Sequence, residues 1–335
     1  MPVRRKITDD DLTDLRGKVA IVTGGNTGIG YATIQFLMRQ GAKVYMGARN
    51  EDKAKAAIKE LEAELPKDTN AANSGGSVHW LQLDLSNPGL VKEAAAGFLR
   101  KEERLDILVN NAAATSGPYK PREDGFTETM VVNHISPFLF TETLLPLLKS
   151  TAALDDSDVR IVNVTSVYHT RVKVESFVGK YSLSKDYGDT TSGNLYMYGV
   201  SKLANILYIK HLQAQLNAES SRITCIAVHP GTVSTDGVKK FFSSVRFFGL
   251  FLRMIVMPLI FVSWTQGAMN SVFAAAGKDV AAARESTNEA RKRMYEGVYL
   301  IPIGKITEPS ENAKDKRLQK ELYETTKEVL RDIGL

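Results

Sequence analysis

Short runs of apolar, often β-branched residues alternate with longer segments of helical periodicity from Gly17 onward. The first pieces of this alternation are KVAIVTG, GIGYATIQFLMRQGA, KVYMGAR and NEDKAKAAIKELEAEL. Further apolar runs follow at VHWLQLDL, DILVNNA, VRIVNVTS and ITCIAVHPG. Strands that are apolar on both faces and joined by crossover helices form parallel sheets covered by helices on both sides. The chain is therefore predicted to be an α/β protein with a doubly wound parallel sheet.

Two stretches interrupt this alternation, the polar PKDTNAANSGGS at 66–77 and a longer insertion at 171–194. Both are predicted to be surface loops, because they are rich in polar and turn-forming residues. Neither has the Pro, Gly or Ser content of an interdomain linker, and the sequence has no internal repeat. We expect a single domain over residues 1–335.

Composition narrows the classes of function. A hydrophobic content of 43% with 24% charged residues is typical of a folded globular protein. The net charge of +5 is spread over 43 basic and 38 acidic residues, so nucleic-acid binding is not indicated. The opening MPVRRKITDDDLTDL has no apolar run behind its basic residues, so we expect an intracellular protein without a secretory signal. The lone Cys225 is predicted to be a buried thiol, and no metal site is expected.

A glycine-rich turn lies between the first predicted strand and the first predicted helix, with the sequence TGGNTGIG from Thr23 to Gly30. Gly24, Gly28 and Gly30 permit a tight turn and close approach of a pyrophosphate to the backbone. The following helix N-terminus offers free N–H groups and a partial positive charge. Since the turn opens a βαβ unit, it predicts a dinucleotide site of the Rossmann type. The binding residues would be Thr23, Gly24, Asn26, Thr27, Gly28, Ile29 and Gly30.

The second predicted strand ends in Ala48-Arg49, where an NAD-binding chain normally carries an acidic residue. An arginine there can pair with the 2′-phosphate of NADP, and no carboxylate is present to repel it. NADP(H) is therefore the predicted cofactor. The alternative is that Arg49 is a solvated residue at a helix start.

Tyr198 and Lys202 are four positions apart in the helical run LYMYGVSKLANILYIKHL, so they share one helix face. A tyrosine with a pKa near 10 transfers protons poorly at neutral pH. A nearby ammonium is expected to stabilise the phenolate and lower the pKa of Tyr198.

Five motifs in order, TGGNTGIG, NNAA, NVTS, YGVSK and HPGTVST, resemble those of the short-chain dehydrogenase/reductase family over residues 17–303. The chain is most similar to its group of retinol dehydrogenases and WW-domain oxidoreductases. The resemblance implies a cofactor-binding half at about 17–150 and a catalytic and substrate half at about 151–303. It further implies that Ser166 contacts the substrate oxygen, that Tyr198 is the proton donor and that Lys202 binds the nicotinamide ribose. Asn133 would hold a water that extends the proton relay.

The same resemblance assigns further cofactor contacts. Asp84 and Leu85 would border the adenine, and Asn110, Ala112 and Ala113 would line the cofactor groove. Near the nicotinamide amide it places Pro230, Gly231, Thr232 and Val233. The chain departs from the family pattern in having NNAA for NNAG and a wide separation between Ser166 and Tyr198. Thr165 or Ser182 could be mistaken for the serine, but Ser166 ends the strand in the family's position.

Residues 241–277 form an apolar stretch whose last part, interrupted by Pro258, reaches the length of a membrane span. By position it corresponds to the family's substrate lid, at about 237–263, followed by a core helix. The alternative is a peripheral membrane contact through 241–263, and an apolar lid is compatible with both. A charged amphipathic helix is predicted at about 311–333.

The sequence thus predicts an NADP(H)-dependent oxidoreductase acting on a carbonyl or alcohol of a small lipophilic substrate such as a retinoid, steroid or polyketide-like ketone. The alternatives are a cofactor-binding scaffold or redox sensor, and a carbon–carbon double-bond reductase. Histidines 79, 169 and 211 are isolated in the sequence and are interpreted as structural. A monomer or a homodimer is expected, because the helix preceding Tyr198 and the helix containing it form dimer faces in many relatives.

Overall fold

A computed structural model of the protein describes residues 6–64, 75–114, 121–122, 124–231 and 263–335. Within these residues eight strands form one sheet in the order β3-β2-β1-β4-β5-β6-β7-β8. Neighbouring strands are parallel, except that β7 and β8 are antiparallel. The strands are β1 (Val19–Thr23), β2 (Lys43–Ala48), β3 (Ser77–Gln82), β4 (Ile107–Asn110), β5 (Val159–Val164), β6 (Ile223–Val228), β7 (Val298–Ile301) and β8 (Lys305–Ile306). The predicted doubly wound fold is confirmed.

Helices connect the strands and cover the sheet. They are α1 (Gly28–Arg39), α2 (Glu51–Ala63), α3 (Pro88–Leu99), α4 (Glu128–Ala152), α5 (Lys180–Leu183), α6 (Thr191–Ala218), α7 (Trp264–Ala276), α8 (Lys278–Arg284), α9 (Glu289–Lys292), α10 (Glu311–Lys314) and α11 (Lys316–Asp332). Short 3-10 turns occupy Asp9–Asp11 and Val167–Arg171.

The hydrophobic core lies on both faces of the sheet. Strands β1, β5 and β6 are buried along their whole length, as expected for central strands flanked by helices. Helices α1, α2 and α7 pack on one face, and α3, α4, α6 and α11 pack on the other. The chain order reverses between β1 and β4, and in such sheets the crevice for a ligand opens at the carboxyl ends of the strands at this point.

The prediction of a surface loop at 171–194 was wrong in part. This stretch contains α5 and the first turn of α6, and the side chains of Phe177 and Leu183 are fully buried. Glu321 of α11 accepts hydrogen bonds from the amide of Phe177 and the hydroxyl of Ser176, both at 2.9 Å. The insertion is therefore packed against a helix 145 residues away in the chain, a contact that local composition does not reveal.

The C-terminal helix is divided. The helix is interrupted after α10 at Asp315. The carboxylate of Asp315 accepts hydrogen bonds from the amides of Arg317 and Leu318 and so caps α11. Leu318, Leu322 and Leu330 of α11 are buried. The amphipathic pattern of the sequence therefore corresponds to a short first helix and a longer second one.

Helix α4 is long and apolar enough to cross a membrane by length and composition alone. Of its most apolar window, 67% is buried inside the protein, which is the environment of a core helix. Of the stretch predicted as a lid or a membrane contact, residues 241–262 lie outside the described part of the chain. The core helix predicted after it is α7, which is buried from Gly267 to Ala276.

Candidate active site

The glycine-rich turn lies at the carboxyl end of β1 and leads directly into α1. Gly24 and Gly28 have φ of +65° and +62°, the left-handed region that favours glycine. A Cβ on Gly30 would lie 2.3 Å from the carbonyl oxygen of Gly24, so only glycine lets α1 approach the turn this closely. Thr27, the residue before α1, is exposed and its side chain does not cap the helix. The N-terminus of α1 is therefore suited to bind an anion.

Thr23 and Asn111 fix this turn to the end of β4. The hydroxyl of Thr23 accepts hydrogen bonds from the amides of Asn111 and Ala112, both at 3.0 Å. The side-chain amide of Asn111 donates to the carbonyl of Thr23 at 2.8 Å. Sequence reasoning missed Asn111, although it is the second asparagine of the NNAA motif.

Arg49 lies just beyond β2 and is exposed. Within the described residues its guanidinium forms no ion pair with a carboxylate. Next to it, the indole of Trp80 on β3 donates to the carbonyl of Ala48 at 2.9 Å and holds the end of β2 in place. Asn50 accepts a hydrogen bond from the amide of Lys53 and caps α2. Arg49 thus lies between a strand end and a helix start that are both held by hydrogen bonds.

The residues assigned to the cofactor groove differ in their exposure. Ala113 is exposed and Ala112 partly exposed, whereas Leu85 is buried in the core. The carboxylate of Asp84 accepts from the amide and hydroxyl of Ser86. The amide of Asn110 donates to Thr141 and Asn163 inside the protein, so its side chain secures the strand end. Pro230 and Gly231 follow β6 and are partly exposed, whereas Thr232 and Val233 lie outside the described residues.

Ser166 and Tyr198 meet beyond the carboxyl end of β5. Ser166 precedes the 3-10 turn Val167–Arg171, and its hydroxyl accepts a hydrogen bond from the amide of Tyr168 at 3.3 Å. Burial raises the pKa of Tyr198 to about 12, while a hydrogen bond with Ser166 opposes this rise. Tyr198 therefore holds its proton at neutral pH, next to a second hydroxyl.

Lys202 lies one helical turn after Tyr198 on α6 and is only 2% exposed. Its Nζ donates to the carbonyl of Val164 at 3.0 Å and lies over the Tyr198 ring, 5.5 Å from the centroid. Burial lowers the pKa of Lys202 to about 7. The predicted lowering of the Tyr198 pKa by this amine was wrong, because burial is the larger effect on both groups.

Asn133 is buried inside a π-helical turn, Val131–Ile135, within α4. Its amide donates to the carbonyl of Ala114 and to the hydroxyl of Ser201, both at 3.0 Å, and its side-chain oxygen accepts from the amide of Ala114 at 2.7 Å. Both amide hydrogens are thus already used. The amide nitrogen of Asn133 therefore has no hydrogen left to donate to the water that the resemblance implied.

Two groups of residues near this site were missed by sequence reasoning. Tyr168 packs edge-on against Tyr198 with ring centroids 6.0 Å apart, and with Val167, Thr170 and Arg171 it lines a cleft of about 570 Å³. The buried amide of Asn270 on α7 donates to the carbonyls of His229 and Leu300 at 2.8 and 3.1 Å and so holds the residue before Pro230. Neither Tyr168 nor Asn270 belongs to a motif that the sequence displays.

The described residues therefore place a protonated phenol, a hydroxyl and an amine together, at the sheet edge that also carries the glycine-rich turn. A phenol and a hydroxyl side by side can stabilise negative charge on a carbonyl oxygen and deliver a proton to it. This chemistry suits addition of a hydride to a carbonyl carbon.

The chain is similar to known proteins in both sequence and fold. A family model for short chain dehydrogenase matches residues 18–188. A short-chain dehydrogenase/reductase from Armillaria gallica is 43% identical over 323 residues, which are 96% of each chain. Retinol dehydrogenase 12 from Bos taurus is 35% identical over 261 residues, covering 78% of this chain and 74% of that one. The crystal structure of an uncharacterized protein from Mycobacterium paratuberculosis has a TM-score of 0.69 at 23% identity, covers 98% of both chains and so shares the fold.

Proposed function

Because this chain belongs to the short-chain dehydrogenase/reductase family, near its retinol dehydrogenase group, we propose that it is an NADP(H)-dependent oxidoreductase. It transfers a hydride between nicotinamide and the carbonyl or alcohol carbon of a small lipophilic substrate, chiefly as a reductase. The observation that carries this proposal is the meeting of Ser166, Tyr198 and Lys202 beyond β5, on the same sheet edge as the glycine-rich turn.

The turn after β1 fits the pyrophosphate of a dinucleotide. Gly24 and Gly28 have positive φ, and the N-terminus of α1 has no side-chain cap that would compete with a phosphate. A Cβ at Gly30 would meet the carbonyl oxygen of Gly24, so glycine is needed there to keep α1 against the turn. Arg49 has no carboxylate partner among the described residues and would pair with a 2′-phosphate, as predicted from the sequence. The remaining contacts would come from Ala112 and Ala113 beyond β4 and from Pro230 and Gly231 beyond β6.

The cofactor supplies the hydride when bound, and the residues of the chain manage the oxygen and its proton. Ser166 and Tyr198 donate hydrogen bonds to the substrate carbonyl and stabilise its developing negative charge. Tyr198 transfers its phenolic proton to that oxygen. Lys202, whose Nζ adjoins the Tyr198 ring, would hold the ribose of the bound cofactor.

The proton on Tyr198 favours reduction as the proposed direction. Burial raises the pKa of Tyr198 to about 12, so at pH 7 the phenol carries the proton that reduction of a carbonyl requires. Oxidation of an alcohol would need the phenolate as a base, and that form is scarce at neutral pH.

A lipophilic substrate is proposed on two grounds. Val167 and Tyr168 are exposed apolar side chains, at 45% and 38%, on the cleft beside Tyr198. The sequence also carries a long apolar stretch at 241–263, which would cover such a substrate or touch the membrane that holds it. One relative is named a retinol dehydrogenase, and retinoids are substrates of this kind.

Calorimetric titration of NADPH and NADH tests the cofactor. Loss of an arginine–phosphate pair costs about 1.5–3 kcal/mol, so Arg49→Ala should weaken NADPH binding by about ten- to a hundredfold and leave NADH unchanged. Arg331→Ala, an exposed arginine on α11, is the matched control and should bind both nucleotides as the wild type does. Equal affinity of the wild type for both nucleotides would contradict the NADP assignment. If neither nucleotide binds, the protein is not an oxidoreductase of this type.

Turnover is tested with NADPH and a panel of retinoid, steroid and polyketide-like ketones, by loss of nicotinamide absorbance. Tyr198→Phe should lower kcat by about a hundredfold or more, because it removes the donated proton. Tyr196→Phe is a suitable control, since Tyr196 lies on the same helix and its hydroxyl forms hydrogen bonds with the backbone of Lys173. A Tyr198→Phe enzyme with full kcat would contradict the assigned role.

A further inference from the structure

His169 is a buried side chain between Ser166 and the C-terminal part of the chain. It lies in the 3-10 turn after Ser166 and is fully buried. Its Nδ1 lies 2.7 Å from the carbonyl oxygen of Ser166, and its Nε2 lies 3.1 Å from the amide nitrogen of Ser310. The imidazole therefore connects the backbone of the proposed site serine to a backbone group 141 residues further along the chain.

The two partners fix the tautomer of His169. The carbonyl of Ser166 can only accept a hydrogen bond, so Nδ1 must carry the proton. The amide of Ser310 can only donate, so Nε2 must be unprotonated. Burial lowers the pKa of His169, which agrees with a neutral ring. Each ring nitrogen thus has one specific task.

The ring of His169 is held in turn by its surroundings. It packs edge-on against Tyr299 of β7 with centroids 4.9 Å apart. The Ser166 carbonyl also accepts from the amide of His169 at 3.2 Å, so side chain and backbone of one residue bind the same oxygen. Such a double contact restrains the peptide that follows Ser166 and hence the direction of its hydroxyl.

We propose that His169 is a positioning residue, whose Nδ1–H hydrogen bond to the Ser166 carbonyl sets the orientation of the Ser166 hydroxyl toward Tyr198. This inference rests on the proposed function in assigning a reaction to Ser166. The bond from Ser310 to Nε2 then has the separate task of anchoring the ring. A misplacement of about 1 Å near reacting groups can cost about a hundredfold in rate, so the orientation of Ser166 is a sensitive quantity.

Two substitutions separate the two tasks. Asparagine places an amide donor near the position of Nδ1, whereas glutamine places an acceptor near that of Nε2. His169→Asn should therefore keep kcat within about threefold of the wild type, and His169→Gln should lower it about tenfold or more with an unchanged KM for NADPH. Both variants lose one hydrogen bond and some packing, so their melting temperatures should fall similarly. His79→Gln, at an exposed histidine on β3, is the control and should change neither kcat nor the melting temperature.

Hydrogen–deuterium exchange of backbone amides is a second measurement, and it does not depend on enzyme activity. The amides of Tyr168 and His169 donate to the hydroxyl and the carbonyl of Ser166. We expect faster exchange at 167–171 in His169→Gln than in His169→Asn. Equal kcat and equal exchange in the two variants would overturn the proposal, as would a fall in kcat that merely follows melting temperature. If the wild type turns over no substrate, the proposed function fails, and the exchange pattern still decides whether His169 positions Ser166.

Discussion

At the scale of single residues, burial of the Lys202 amine lowers the free energy of unfolding by an amount that depends on pH. Burial lowers the pKa of Lys202 from 10.5 to about 7. Between these two pH values the unfolded chain binds more protons than the folded one, so the free energy of unfolding rises with pH, by up to about 1.4 kcal/mol per unit. Below pH 7 the amine is protonated in both states, and the full cost of burying its charge remains.

Lys202→Met removes this titration and should change the pH dependence of stability. We compare the free energy of unfolding of the variant with that of the wild type at each pH. This difference should favour the variant more at pH 6 than at pH 9.5, because deprotonation of Lys202 stabilises only the wild type over that range. Urea unfolding at both pH values measures the difference, with Lys320→Met on the exposed side of α11 as control. The same stability difference at pH 6 and at pH 9.5 would show that Lys202 does not titrate as the structure implies.

At the scale of elements, a buried ion cluster joins β5 to α7 and α8. Arg160 is fully buried, forms an ion pair of 2.5 Å with Asp158 and donates to the carbonyls of Ala274 and Gly277 at 3.1 and 3.2 Å. Arg284 pairs with the same Asp158 at 3.0 Å. Burial alone would raise the pKa of Asp158, but the two arginines outweigh it and bring the value to about 2.

Asp158→Asn leaves the guanidinium of Arg160 buried without its carboxylate, which costs about 3–5 kcal/mol of stability at pH 7. The cost should shrink as pH falls through about 3.8 toward 2, where the wild-type carboxylate is also protonated. The shift in urea midpoint measures it. Glu219→Gln breaks an exposed pair with Lys149 and should cost less than about 1 kcal/mol. Similar losses in both variants would contradict the assigned role of the cluster.

At the scale of the whole molecule, α11 covers the faces of α4 and α6. Thr326 of α11 and His134 of α4 are joined by a hydrogen bond of 2.9 Å. Tyr323 donates to Glu142 of α4 at 3.3 Å and stacks on His211 of α6 with centroids 4.4 Å apart. If the chain formed a dimer through this face, as the family resemblance suggests, α11 would have to leave it.

We therefore expect the full chain not to dimerise through α4 and α6. Leu322→Asp with Leu330→Asp should detach α11, expose the apolar face and cause self-association, which light scattering after gel filtration would detect. Lys320→Asp, on the exposed side of α11, should leave the mass unchanged. A double variant that stays identical to the wild type in mass and melting temperature would show that α11 does not protect this face.

The sequence by itself determined the features that depend on local order. Alternating apolar runs predicted the doubly wound sheet, because strand and helix periods are read over a few residues. The glycine spacing predicted the turn after β1, and the four-residue spacing of Tyr198 and Lys202 predicted their shared helix face. The packing of the 171–194 insertion on α11 and the division of the C-terminal helix at Asp315 were missed, because a distant contact decides the first and a single cap decides the second.

Only the tertiary structure decided how the site is held and how its groups are charged. Asn111 reaches Thr23 across 88 positions, Asn133 reaches Ser201 across 68, and His169 reaches Ser310 across 141. No sequence period relates such partners, since the sheet order brings them together. The pKa values of Tyr198 and Lys202 likewise follow from burial, which outweighs the effect that their spacing suggests. Burial is a property of the assembled fold, so it has no local signature in the chain.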